Sequence, residues 1–208
     1  MQRKKLVVLI DGGYLRARAR HHNLRYDPDF IEKVARSVAL EDEDLLRVLY
    51  YDCAPFAGKV KLPVSGQVKE YTPSDEWLRE LAEKDLFAVR RGELKFRGFK
   101  PKRVPVAADT LSDDDFTPVF EQKGVDMRIG LDISLYSQSR SMDRIALLSG
   151  DTDCIAAMKH ARKEGIQVIL VQLPGEKLSS ELLAHADFRR EVSWPAVAGA
   201  TRQAVVAP

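Results

Sequence analysis

The sequence predicts a three-layer α/β/α domain with a mostly parallel central sheet, and three observations carry that expectation. Short apolar runs recur: "LVVLID" at 6–11, "LLRVLYYD" at 45–52, "RIALLSGD" at 144–151 and "QVILVQL" at 167–173. Each is too short for a buried helix and suits a strand covered on both faces. Helical patterns lie between them, which implies right-handed crossovers and parallel pairing. Finally, Asp11, Asp52 and Asp151 fall at the ends of three of these runs, the edge where ligands bind in open α/β sheets.

Taken in order, helices are expected over 29–39, 73–85, 125–137, 152–164 and 178–186. Pro73 would open one where its missing N–H does no harm, and Gly165 would close another in a left-handed cap. Two regions interrupt the alternation. "AGKVKLPVSGQVKEYT" at 57–72 reads as a loop, and 90–122 begins strand-like, turns basic and aromatic, then acidic. The expected organisation is one domain over 1–192 with a basic/acidic insertion near 90–122, followed by a loosely held tail at 193–208.

At 208 residues and 45% apolar composition the chain can bury one core, and its net charge of +2 leaves both nucleic acid and small molecules open as ligands. No run reaches the roughly 18–20 apolar residues of a membrane span, and the first residues lead straight into a strand instead of a signal-peptide core. A cytoplasmic protein without a membrane partner is expected. Cys53 and Cys154 have no metal-ligand spacing, which fits a reducing compartment.

The chemistry centres on carboxylates. In "SGDTD", Asp151 and Asp153 stand two apart at a strand end, where mutual repulsion costs free energy unless a cation or a shared proton relieves it. Asp11 is followed by Gly12 and Gly13, which let the chain turn sharply. Asp11 could equally cap the helix after it, and either Asp151 or Asp153 could cap the helix at 152, but not easily both. "KGVDMRIGLDI" adds Asp126 near a helix start and Asp132 six residues on; at about 100° per residue the two sit roughly 240° apart and cannot share a helix face. The conjunction at one sheet edge suits a hard divalent cation, Mg²⁺ or Mn²⁺, which can activate water against phosphorus. Rival motifs are missing: there is no G-x-x-x-x-G-K-[ST] phosphate loop, dinucleotide fingerprint or G-x-S-x-G elbow. A haloacid-dehalogenase-type phosphatase, the runner-up, would need an acid where Gly13 stands.

"LIDGGYL" (9–15), "VLYYDCAP" (48–55), "KGVDMRIGLDI" (123–133), "LLSGDTDCIAAMKHARKEGIQVILV" (147–171) and "LSSELLAHADFRREV" (178–192) together resemble the NYN-domain proteins of the bacterial LabA-like group, whose fold is similar to PIN-domain nucleases. The resemblance implies a metal-dependent ribonuclease with Asp11, Asp126, Asp151 and Asp153 on the positions of the acidic site, and with Asp132 as a further match. Two departures are visible. Many relatives carry Asn at the place of Gly13 and an aromatic at the place of Cys154, which bears on substrate positioning more than on the metal.

"RRGELKFRGFKPKR" at 90–103 holds seven basic residues against Glu93, with Phe96 and Phe99 interleaved. Cations for phosphates and rings for unpaired bases are the composition of a single-strand binding surface, and Arg97, Lys100, Lys102, Arg103, Phe96 and Phe99 are its candidate RNA contacts, with Arg16 beside the first motif. The alternative is a solvated hairpin whose phenylalanines face the core. The expected partner is RNA in single strands or loops, and a homo-oligomer is compatible with this reading. The competing class is a non-catalytic RNA-binding or adaptor protein on the same fold.

Overall fold

In the computed structural model, which describes residues 3–104, 111–139 and 141–196, the first apolar run forms β1 (Lys4–Asp11). Successive strand side chains point to opposite faces. Leu6, Val8 and Ile10 therefore enter one apolar core and Val7 and Leu9 the other. All five are at most 1% exposed, which is why the run shows no polar alternation. β2 (Glu43–Cys53), β7 (Arg144–Leu148) and β8 (Gln167–Gln172) repeat the device.

The main sheet has seven strands, ordered β6-β5-β2-β1-β7-β8-β9, with β5 (Phe87–Pro101), β6 (Phe116–Lys123) and β9 (Phe188–Glu191) completing it. Every pairing is parallel except β5 with β6. Helices α1 (Gly12–His21), α2 (Pro28–Ser37) and α3 (Glu76–Glu83) cover one face. The other is covered by α4 (Val125–Ser139), α5 (Ile155–Lys163) and α6 (Ser180–Ala184). The three layers match the fold expected from the sequence.

The chain leaves β1 toward β2 and β5 and later returns to β7 on the other side of β1. Strand order thus reverses between β1 and β7, and the crevice outside their carboxyl ends is where a ligand is expected. At the opposite edge, Glu43 is buried and accepts from Arg144 at 2.7 Å and from Arg190 at 2.7 and 2.9 Å, joining β2, β7 and β9.

Several elements differ from the sequence-based expectation. The Gly12–Gly13 pair opens α1 instead of turning the chain sharply: a Cβ on Gly12 would overlap the Tyr50 hydroxyl and lie 2.8 Å from the Tyr51 carbonyl oxygen, so glycine is there for close approach. Residues 57–72 contain an antiparallel hairpin, β3 (Gly58–Lys61) with β4 (Val68–Tyr71), and not a plain loop. α3 starts at Glu76, three residues after Pro73. Gly165 does follow α5 in the left-handed region, at φ +84°. Of the expected tail, residues 197–208 lie outside the described ones; Trp194, at its start, stacks on Phe30. Among the described residues no helix is long and apolar enough to cross a membrane.

Candidate functional site

Asp11 ends β1 and caps α1, its Oδ1 accepting from the Tyr14 N–H at 3.0 Å. Asp151 follows β7 across Ser149 and Gly150 and accepts from the Asp153 N–H at 2.9 Å, capping the 3-10 turn Thr152–Cys154. The bland reading of both acids as caps therefore holds for one oxygen of each. A cap uses one oxygen and leaves the other available.

Their surroundings are unusual for caps. Burial first, then Asp126, with Asp52 and Asp151 adding, pushes the Asp11 carboxyl up to about 6 against the Gly13 N–H. The Asp126 carboxyl is also raised, by partial burial and then by Asp151 and Asp153. Asp126 sits in the first turn of α4, which thus brings it to the same crevice from the far face of the sheet. Carboxylates from three segments sense one another here, and like charge with burial is a state that a bound cation relieves.

The donor set is all oxygen, which fits Mg²⁺ or Mn²⁺ and not a soft metal. Among the described residues no group of three or more His, Cys, Asp or Glu side chains is drawn together tightly enough to hold an ion by themselves. A cation here would be held by one or two of Asp11, Asp126 and Asp151, with water completing its shell, as Mg²⁺ commonly is beside phosphate substrates. The Cys154 thiol next to these acids is pushed up to about 12 by burial, then by Asp151, so it offers no thiolate.

Asp132 is placed elsewhere. It is buried within α4, accepts from the Tyr51 hydroxyl at 2.9 Å and from Arg90 Nε at 3.0 Å, and so holds α4 to β2 and β5. The helix-phase argument explains the separation, since Asp126 and Asp132 do share one regular helix. Asp153 is exposed and lies on the Asp126 side of the crevice.

The cleft at the strand ends has a volume of about 580 Å³ and is lined by Asp11, Gly13, Tyr14, Arg18, Gln122, Gly150, Asp151 and residues 176–179. Gln122 comes from β6, and a Cβ on Gly13 would stand 3.3 Å from both Asp11 Oδ1 and Gln122 Oε1. Of the lining residues, Tyr14, Gln122, Glu176 and Lys177 are not pointed to by the sequence motifs. The 176–179 loop follows β8, so the rule that ligands gather beyond strand carboxyl ends is the signal that points to it. Gln122 has no such signal, because only the β5–β6 pairing carries it there. Asp52 is buried at the end of β2, accepting from Arg16 Nη2 at 2.9 Å, the Tyr50 hydroxyl at 3.0 Å and the Cys53 N–H at 2.8 Å.

The basic segment changes character once folded. Residues 87–101 form one long strand, with β6 antiparallel to its outer part. Arg97 pairs with Glu121, Arg91 with Asp75 at 2.6 Å, Arg90 with Asp132, and Lys95 with Glu93 at 3.5 Å. Lys102 bonds through its backbone to Asp115, whose carboxyl is held low by the Ser112 donors first and by Lys102 and Arg103 after them. Phe96 and Phe99 pack on each other at 5.2 Å, and Phe96 also meets Phe56 and Phe120. The segment folds as a hairpin, and the two half-buried rings join an aromatic cluster with Phe56, Tyr71 and Phe120, outside both cores of the sheet. Lys100, Lys102 and Arg103 are exposed near its tip.

A family model described as NYN domain matches residues 5–190. No curated protein matches the chain. Among solved structures, the crystal structure of a protein of unknown function from Vibrio parahaemolyticus is similar with a TM-score of 0.54 at 16% identity, covering 91% of this chain and 93% of that one. That likeness concerns the fold.

Proposed function

The chain belongs to the NYN-domain family, and on that premise we propose that it is a metal-dependent ribonuclease that hydrolyses RNA phosphodiester bonds with Mg²⁺ or Mn²⁺. Within the proposal the chain falls in the LabA-like group, on "KGVD" and "SGDTD". The observation that carries it is the convergence of Asp11, Asp126 and Asp151, from three separate segments, at the point where strand order reverses, where burial first and then Asp126, Asp52 and Asp151 raise the Asp11 carboxyl to about 6. At neutral pH the carboxyl is ionised at a cost in stability, and a bound cation would offset that cost.

One or two of Asp11, Asp126 and Asp151 would hold the cation directly, with water completing its shell and the remaining acids, Asp153 among them, adding negative charge from farther out. When bound, the cation lowers the pKa of a coordinated water and offsets charge developing on the phosphate. The chain's own residues orient the strand. Arg18 lies over the Tyr14 ring, 5.2 Å from its centroid, and reaches Glu176 at 3.3 Å, leaving a cation on the cleft wall for a phosphate. The Gln122 carboxamide faces Asp11 across Gly13 and can donate to a sugar or phosphate oxygen.

A non-catalytic RNA-binding reading draws on Gly13, which leaves the space between Asp11 and Gln122 without a side chain. Labelled single-stranded RNA and its DNA counterpart are incubated with wild type or Asp151→Asn in Mg²⁺, Mn²⁺ or EDTA. Cleavage should need metal, prefer RNA, and fall by at least roughly 100-fold in the variant. RNA retention without cleavage in every arm would replace the enzyme by the binding protein.

A further inference from the structure

A second concavity, of about 590 Å³, opens on the other side of α1 and is lined by Arg16, Arg20, Asn23, Leu24, Tyr26 and Trp77. Tyr14 and Arg18 face the acidic cleft, while Arg16 and Arg20, one turn apart on the same helix, face this pocket. We propose that it is a nucleotide subsite of the same RNA-binding surface, taking one unstacked base on the Trp77–Tyr26 wall with its phosphate on Arg16 and Arg20. The proposal rests on the ribonuclease reading for its substrate class.

The wall is rigid before any ligand arrives. The Tyr26 hydroxyl donates to the Tyr50 hydroxyl at 2.6 Å, since the Tyr50 proton goes to Asp52, and lies 3.1 Å from the Gly12 carbonyl oxygen. Trp77 packs edge-on against Tyr26 at 6.4 Å and Tyr50 at 6.3 Å. Arg16 is fixed from below by buried Asp52, while its side chain remains 31% exposed. Arg20 is exposed on the rim. Asn23 has left-handed backbone, φ +54°, which turns the chain so that Leu24 and Tyr26 fold back under the helix. Its carboxamide offers a donor and an acceptor, and such a pair can read a base edge.

Aromatic stacking with flanking cations is the chemistry that retains single strands. The two concavities share the first turn of α1, since the Tyr26 hydroxyl lies against Gly12 and Asp11 caps that turn. A strand crossing α1 would place its scissile phosphate at Asp11 and a neighbouring nucleotide in the pocket.

The chain has two tryptophans, so Trp194→Phe leaves Trp77 as the sole indole emitter in the full-length protein. Its emission is titrated in EDTA with AMP, UMP and a single-stranded RNA of about ten nucleotides, a length within known single-strand site sizes. The expected result is saturable quenching by the RNA, with competition by the mononucleotides. Arg20→Ala should reduce the salt slope of RNA affinity by about 0.7. Trp77→Leu should weaken binding about tenfold, as loss of one stacked base does. The melting temperature of Arg20→Ala, altered only on the rim, should stay at the wild-type value, which keeps the test valid if Trp77→Leu folds poorly. RNA that binds with unchanged Trp77 emission and an unchanged Arg20→Ala slope overturns the subsite, whether or not cleavage occurs. Quenching and an Arg20 effect without cleavage in Mn²⁺ would uphold the subsite and remove the nuclease reading.

Discussion

Replacing Asp11 with Asn is expected to make the metal-free protein more stable at neutral pH. Burial first, then Asp126, Asp52 and Asp151, raises the Asp11 carboxyl from 3.8 to about 6. At about 1.36 kcal/mol per pKa unit, keeping Asp11 ionised in the fold costs about 3 kcal/mol at pH 7 relative to the unfolded chain. The folded pKa is the higher one, so the folded state binds the proton more tightly. Stability therefore falls as pH rises from about 4 to about 6, and the whole cost is present above that window. Asparagine carries no charge there, has the same size, and its oxygen can still accept from Tyr14 N–H to cap α1. For a chain of this size about 1 kcal/mol moves Tm by 2–4 °C, so the variant should melt roughly 6–12 °C higher at pH 7 as an upper bound, with no advantage at pH 4. Calorimetry in EDTA between pH 4 and pH 8 measures the difference. Adding Mn²⁺ at about a hundred times its Kd should lift wild type alone by about 2.7 kcal/mol and close most of the gap. A variant that melts lower than wild type at pH 7, or a gap that does not change with pH, would refute the reasoning.

Two further substitutions separate scaffold from chemistry. Asp132→Asn weakens the contacts with Tyr51 and Arg90 and should cost about 1–2 kcal/mol by thermal melting, with cleavage per folded molecule unchanged; loss of the metal response would instead put Asp132 in the site. Glu43→Gln leaves Arg144 and Arg190 facing a neutral group in a buried setting, and should cost about 3–5 kcal/mol. Burial raises the Glu43 carboxyl, but Arg190, the Leu40 N–H and Arg144 together hold it below the usual range. Its contribution is therefore present at neutral pH and lost in acid, so denaturant midpoints of wild type and variant should converge as pH falls.

The parallel strands were legible because burial on both faces leaves only apolar residues, as in "LVVLI" of β1. α1 was hidden by its own contact: Gly12 is required by Tyr50, a neighbour in space and not in sequence. Its "RARAR" stretch also has no apolar stripe, since of residues 16–20 only Ala19 is buried in the core. The β5–β6 pair was hidden because the charges of 90–97 mask the strand pattern, while the groups that pair with them lie elsewhere in the chain: Asp75 for Arg91, Asp132 for Arg90 and Glu121 for Arg97. At the site, strand ends and caps positioned Asp11 and Asp151 from local pattern. Asp132 needed knowledge of Arg90, 42 residues away, and Gln122 needed the register of a hairpin.

β5 serves two structures in succession. Residues 87–92 continue the parallel sheet beside β2, and from Glu93 onward the same strand pairs with β6. Gln122 sits opposite Leu94 near the base of this arm, while the register shift between Phe96 and Phe99, with Gly98 at φ +103°, takes up one extra residue farther out. Insertions or deletions beyond the bulge would change the arm's reach without moving the cleft. A one-residue slip between the bulge and the base would turn Gln122 to the opposite face. The outer half is thus a length-tolerant graft point, where a loop of new specificity could be spliced onto an unaltered acidic centre.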